Sequence, residues 1–101
     1  MTDEYLYRIT PKRGDMLATG LSRDEKRIAN AHFEYLKTLN ETGVVRFAGR
    51  TANDDAMDFG VVVLRVHSLQ EAKDIMQGDP AVKFDLMTAE LFPFRTVFHS
   101  M

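Results

Sequence analysis

The run Phe59-Gly60-Val61-Val62-Val63-Leu64-Arg65-Val66 constrains this chain more than any other stretch. Successive strand side chains alternate between faces, so Val61 and Val63 point one way while Val62 and Leu64 point the other. A strand apolar on both faces belongs in the middle of a sheet with cover on each side. The rest of the chain must supply neighbouring strands and that cover.

The neighbours can be read off the pattern. Tyr5 to Thr10 is rich in strand formers and ends at Pro11, which marks a first strand. Pro11 to Leu21 has no periodicity and reads as a long loop, the kind that serves as a lid or rim. Ser22-Arg23-Asp24-Glu25 is a capping box, and Ile28, Ala31, Tyr35, Leu36 and Leu39 follow at helical spacing. The first helix is expected from about Arg23 to Thr42, stopped by Gly43. Val44 to Ala48 is a second strand, Gly49 to Asp58 a polar turn, and Phe59 to Val66 the third strand. A second capping box at Ser68-Leu69-Gln70-Glu71 opens a helix whose stripe is Leu69, Ala72, Ile75 and Met76, ending at Gly78. Asp79-Pro80 then begins a short turn, with Asp as cap and Pro at the first helical position. Asp85 to Phe94 is the last strand.

The order βαββαβ is the ferredoxin-like α+β arrangement, a four-stranded antiparallel sheet with two helices on one face. At 101 residues, without repeats or a linker, residues 1–101 are expected to form a single domain. Two helices cover one sheet face only, yet the third strand is apolar on both, as are Leu86/Met87 and Leu91/Phe92 in the fourth. The uncovered face is therefore expected to pack against a second copy, as a homodimer in which two sheets meet. Higher oligomers are left open.

Composition narrows the chemistry. Thirteen Lys and Arg against fifteen Asp and Glu give a net charge of −2, which argues against nucleic acid as a partner. No stretch is long and apolar enough for a membrane span or a signal core. The absence of cysteine removes thiolate nucleophiles and Cys-ligated metals, and fits the cytoplasm. No phosphate loop, HExxH, GxSxG or EF-hand pattern is present.

What remains is one histidine in an unexpected place. His32 lies four residues after Ile28 and four before Leu36, on the apolar stripe of the first helix. A half-buried imidazole needs a polar partner. His32 is ten residues from Thr42, and Gly78 is ten residues from Ser68. At 1.5 Å per residue both stand about 15 Å above the same end of the sheet, so Asp79 arrives at the height of His32. A carboxylate beside a histidine fixes its tautomer and raises its basicity, as general acid–base chemistry requires. Each residue also has a plainer reading, His32 as a satisfied core residue and Asp79 as a helix cap. Arg50 and Tyr7 are the candidates for holding an anionic or phenolic group of a small-molecule ligand, with turn chemistry as the plainer reading of Arg50 and packing as that of Tyr7. His67 and His99 read as surface residues, and Asp54, Asp55 and Asp58 as a solvated acidic turn without metal-ligand spacing. No metal and no cofactor is expected.

The chain resembles the YciI-like (YCII-related) family along nearly its whole length. The resemblance rests on His32-Phe33-Glu34-Tyr35-Leu36, Ala48-Gly49-Arg50-Thr51, Phe59 to Val63, Glu71-Ala72, Gly78-Asp79-Pro80-Ala81-Val82 and Ala89 to Phe94, in that order and spacing. It implies a dimeric α+β barrel and an active-site pair that falls on His32 and Asp79. Family members with an assigned activity look like lyases, including dehydrochlorination of chlorinated hydroxyquinones. Two positions depart from the family pattern. Ala29 stands where many members carry Arg, and Ala81 where many carry an aromatic. The expected function is therefore a small cofactor-free enzyme doing lyase- or isomerase-like proton transfer on an aromatic or carbonyl substrate. The alternative is a non-catalytic ligand-binding or interaction module of the same fold.

Overall fold

The computed structural model describes residues 2–12, 20–53 and 57–100. Most of the loop expected from Pro11 to Leu21, and Asp54 and Asp55 of the acidic turn, lie outside the described residues. The elements run β1 (Asp3–Pro11), α1 (Arg23–Glu41), β2 (Val45–Arg50), β3 (Gly60–Val66), α2 (Leu69–Gly78), α3 (Pro80–Lys83) and β4 (Met87–Phe94). The four strands form one antiparallel sheet in the order β2-β3-β1-β4. This is the ferredoxin-like α+β fold, with the doubly apolar strand in the interior of the sheet.

Local chemistry sets the helix ends. The Ser22 hydroxyl accepts from the Glu25 N–H at 3.1 Å while the Glu25 carboxylate accepts from the Ser22 N–H at 2.8 Å. Such a cap stabilises a helix start by about 1 kcal/mol. The Ser68 hydroxyl caps α2 by accepting from the Glu71 N–H at 3.1 Å, but the reciprocal bond that would complete the expected second capping box is not formed. Thr42 is the C-cap of α1, and Gly43 follows at φ 82°, a left-handed angle that a glycine adopts without strain.

Several strand ends differ from expectation by one or two residues, β1 among them, which runs from Asp3 through Pro11; two of the differences have a clear physical cause. β4 begins at Met87 rather than Asp85, because Pro80 to Lys83 completes a helical turn and Asp85 reverses the chain at φ 61°. β2 continues to Arg50, because its pairing with β3 runs on to Arg50–Gly60 after a bulge at Arg46. Residues on opposite sides of that bulge change parity, so Val45, Ala48 and Arg50 share one face while Phe47 and Gly49 share the other.

Register then divides the sheet into rows. On the helix side, Ala48, Val62, Tyr7 and Leu91 form one row across all four strands, and Arg50, Gly60, Ile9 and Ala89 form the next. Tyr7, Ile9, Val45, Val62, Leu64, Val66 and Ala72 make the core there, with Leu36, Leu39 and Ile75 of the helices against them. On the helix-free side the row is Phe47, Val63, Leu6 and Phe92. Val63 is buried between its neighbours, whereas Phe47 and Phe92 at the two edges are 52% and 42% exposed. Charged pairs frame this apolar row, Arg46–Glu4 at 2.9 Å and Arg8–Glu90 at 3.4 Å. Arg8 and Arg46 thus serve cross-strand ion pairs.

No residue of α1 is fully buried. Its inward stripe is Ile28, Ala29, His32, Tyr35, Leu36 and Leu39, all half-buried, while Ala31 faces solvent. The stripe is incompletely covered because α1 stands off from the β2–β3 edge of the sheet. A cleft of about 1060 Å³ occupies the gap. Among the described residues, no helix is long and apolar enough to cross a membrane.

Candidate functional site

The cleft is walled by His32, Phe33 and Lys37 of α1 on one side and by Phe47 to Arg50 of β2 on the other. Gly60, Val61 and Val62 of β3 contribute the sheet side of its lining. Most of this wall is apolar, so the few polar groups that reach it decide its chemistry.

His32 is one of them. Its side chain is 16% exposed, and Nδ1 stands 2.6 Å from Oδ1 of Asp79, whose side chain has no exposure at all. The pair follows from how the chain is built locally. α2 ends at Gly78, where Tyr35 of α1 lies so close that an added Cβ would sit 3.0 Å from its hydroxyl. Tyr35 itself donates to the Ile75 carbonyl at 2.8 Å, tying α1 to α2. Asp79 follows as the cap of α3, its Oδ1 accepting from the Ala81 N–H at 3.0 Å, with Pro80 at the first helical position. The capping role therefore turns the carboxylate toward α1, and His32 meets the same oxygen from the other side. Both plain readings of these residues hold simultaneously with the pairing: Asp79 caps a helix and also partners His32.

Of the two readings of Tyr7, ligand contact or packing, its position fits the second: its side chain has no exposure and its hydroxyl donates to Asp79 Oδ2 at 2.7 Å. It stands behind the acid–base pair, in the core row of β1, and does not line the cleft. One signal was available: a tyrosine at an inward strand position beside Ile9 must find a partner for its hydroxyl. Burial, then the Asp79 charge and the hydrogen bond to it, push the Tyr7 phenol well above its ordinary 10.0. Burial and Asp79 also raise the Tyr35 phenol. Both hydroxyls therefore remain protonated donors through the physiological range.

Arg50 lines the cleft on the helix side of the sheet, in the row next to that of Tyr7. Its guanidinium is 3.9 Å from Asp58 Oδ2 and its side chain is 68% exposed. Asp58 corrects the reading of a solvated turn. It is 6% exposed, borders the cleft, and accepts from the Thr51 hydroxyl at 3.0 Å. The same hydroxyl accepts from the Phe59 N–H at 3.1 Å, so Thr51 ties Asp58 and Phe59 to the end of β2. Ala29, one turn before His32, also lines the cleft, while Ala81 is fully buried beneath Asp79. His67 and His99 are exposed, and neither lines the cleft. Among the described residues, no group of three or more His, Asp or Glu comes together in a way that could hold a metal.

With Asp79 as a carboxylate, both of its oxygens are acceptors, and three donors converge on them. His32 must then present Nδ1–H to Asp79, which leaves Nε2 as the unprotonated nitrogen of the neutral ring. An imidazole so held can take a proton at Nε2 and return it, with the buried carboxylate stabilising the cation.

Comparison with known proteins agrees with this architecture. A solved structure of 5-chloro-2-hydroxyhydroquinone dehydrochlorinase from Burkholderia phenoliruptrix AC1100, in complex with 2,5-dihydroxybenzoquinone, superposes with a TM-score of 0.64. The match covers 90% of this chain and 93% of that one at 17% sequence identity, a likeness of fold. A search of curated proteins gave no match. The family model of the YCII-related domain matches residues 5–95, a span that takes in most of β1, all of the other three strands, His32, Asp79 and the whole cleft wall between them. The chain belongs to the YCII-related family.

Proposed function

We propose that the cleft beside His32 is the active site of a small enzyme that moves protons on a compact aromatic or carbonyl-containing substrate. The reaction is lyase- or isomerase-like, with His32 as general base and acid and Asp79 as its orienting partner. The observation that carries this reading is the 2.6 Å bond between His32 Nδ1 and the wholly buried Asp79, set in the wall of a large, mostly apolar cleft.

In an elimination, Nε2 takes a proton from the carbon next to a carbonyl. The electron pair of that C–H bond becomes the new double bond, and the leaving group departs with its own bonding pair. In an isomerisation, the proton returns to a different atom. Either reaction needs a shielded pocket and an imidazole whose cation is stabilised, and neither needs a redox partner. Arg50, which lines the cleft on the helix side of the sheet, is the residue assigned to hold a phenolate or carboxylate group of the substrate in this reading. The likeness in fold to a dehydrochlorinase holding a dihydroxybenzoquinone supports a small cyclic substrate.

His32→Ala is expected to lower turnover on a panel of hydroxyquinones and small keto acids by at least about a hundredfold, in line with loss of a general base. Circular dichroism of the variant should match that of the parent. Undiminished turnover in a folded His32→Ala protein would overturn the assignment. Binding without turnover by the parent would leave a ligand-binding module in its place.

The same reading includes a homodimer through the helix-free face, where the row Phe47, Val63, Leu6 and Phe92 crosses all four strands. Sedimentation of Phe92→Lys is expected to give a monomer where the parent sediments as a dimer. An unchanged mass would place any self-association on another surface.

A further inference from the structure

The acid–base pair rests on a third residue. A carboxylate with no solvent exposure loses the water that would otherwise stabilise its charge, and each oxygen must be satisfied by protein donors. Oδ1 of Asp79 has two, the Ala81 N–H and His32 Nδ1, whereas Tyr7 is the donor to Oδ2, at 2.7 Å. We propose that Tyr7 is a positioning residue for this pair: its hydroxyl fixes the Asp79 carboxylate and lowers its basicity, which tunes the affinity of His32 for a proton. The proposal rests on the reading of His32 and Asp79 as a working pair, and it gives the buried phenol a task that packing alone would not.

The physical chain is short. The Tyr7 hydroxyl disperses negative charge from Oδ2, so less of it faces the imidazole through Oδ1. Without that hydroxyl the carboxylate is a stronger base and stabilises the imidazolium more, and His32 holds its proton to higher pH. Only the part of the Tyr7–Asp79 hydrogen bond that changes when His32 is protonated reaches the imidazole. A shift of about half a pH unit corresponds to about 0.7 kcal/mol transmitted through Asp79. The ionisable groups around the pair are Tyr7 from β1, Tyr35 from α1 and, along the cleft, Lys37, Arg50 and Asp58. All except Tyr7 are common to every variant below.

The test is the titration of the His32 ring nitrogens by ¹⁵N NMR in the full chain, with Tyr7→Phe, Asp79→Asn and 3-fluorotyrosine placed at position 7. Phenylalanine keeps the ring that fills the core and removes the donor. Fluorotyrosine keeps the hydroxyl and makes it a stronger donor. Tyr7→Phe is expected to raise the His32 midpoint by about half a unit, and fluorotyrosine to lower it. A purely structural role for Tyr7 would not move the midpoint in opposite directions in the two variants. If Asp79→Asn moves the midpoint while both Tyr7 variants leave it in place, or move it in the same direction, the Tyr7 proposal is overturned and the pair stands. If Asp79→Asn itself leaves the midpoint unchanged, the pair is not coupled and the functional reading fails with it.

Discussion

Replacing Asp79 with alanine should be among the most destabilising single changes in this chain, and its cost can be built from three contacts. The Tyr7 hydroxyl, fully buried, would lose its acceptor at 2.7 Å. Stranding a buried donor costs about 1–3 kcal/mol. The Ala81 N–H would lose its cap at 3.0 Å. Loss of an N-cap costs about 0.5–2 kcal/mol. His32 would lose its partner too, but at 16% exposure water can take over that bond, and the cost there is small. The sum is about 2–5 kcal/mol for Asp79→Ala, a large share of the stability of a domain this size. Asp79→Asn keeps the cap and the volume and offers one acceptor oxygen where three donors converge, so about 1–2 kcal/mol is expected. Urea unfolding followed by circular dichroism measures both, provided the slope of the transition is unchanged. The decisive comparison is a double-mutant cycle. In a Tyr7→Phe background no hydroxyl is left stranded, and Asp79→Ala should cost about 1–2 kcal/mol less than in the parent. Equal costs in the two backgrounds, or a cost under about 1 kcal/mol for the single alanine variant, would refute the idea that the carboxylate is the hub of this hydrogen-bonded cluster.

Three further outcomes are expected. The Thr96 backbone N–H, the Thr96 hydroxyl and Arg46 hold the Glu4 carboxyl below its ordinary 4.5, so its stabilising effect is present above that pH and lost as pH falls through the lowered value. Acid unfolding midpoints of Glu4→Gln and the parent should therefore converge at low pH and separate near neutrality. The raised Tyr7 and Tyr35 phenols work in the opposite sense: the unfolded chain releases these protons first, so stability falls as pH rises above about 10. Thermal melts should show Tyr7→Phe less sensitive than the parent to pH above that point. At Gly60, a Cβ would lie 2.9 Å from Ile9 Cγ1 in the row that leads to Arg50. Gly60→Ala should cost about 1–3 kcal/mol by overpacking, measured by urea unfolding.

The fold was legible in the sequence because its signals are local. Capping residues at Ser22 and Ser68, the stops at Gly43 and Gly78, and the two-faced run of β3 each act within a few residues. Together they allow few topologies. The late end of β2 and the late start of β4 lie where a non-local term intervened. The Arg46 bulge extended β2 along β3, and the left-handed Asp85 delayed β4 until after α3 had closed. The placing of Asp58 was hidden for the same reason, since its burial depends on the chain folding back so that Thr51 can reach it.

By itself the sequence determined the order of elements, the helix face that carries His32, and the height at which Asp79 meets it, because periodicity and rise per residue are properties of single elements. Only the tertiary structure decided the lateral approach of 2.6 Å and the burial of Asp79. It alone set Tyr7 behind the pair and opened the cleft between α1 and β2. Those features depend on how far two helices stand from a sheet and which way a capped carboxylate turns. Such distances are set by the packing of side chains from segments as much as 72 positions apart, and no local pattern records them.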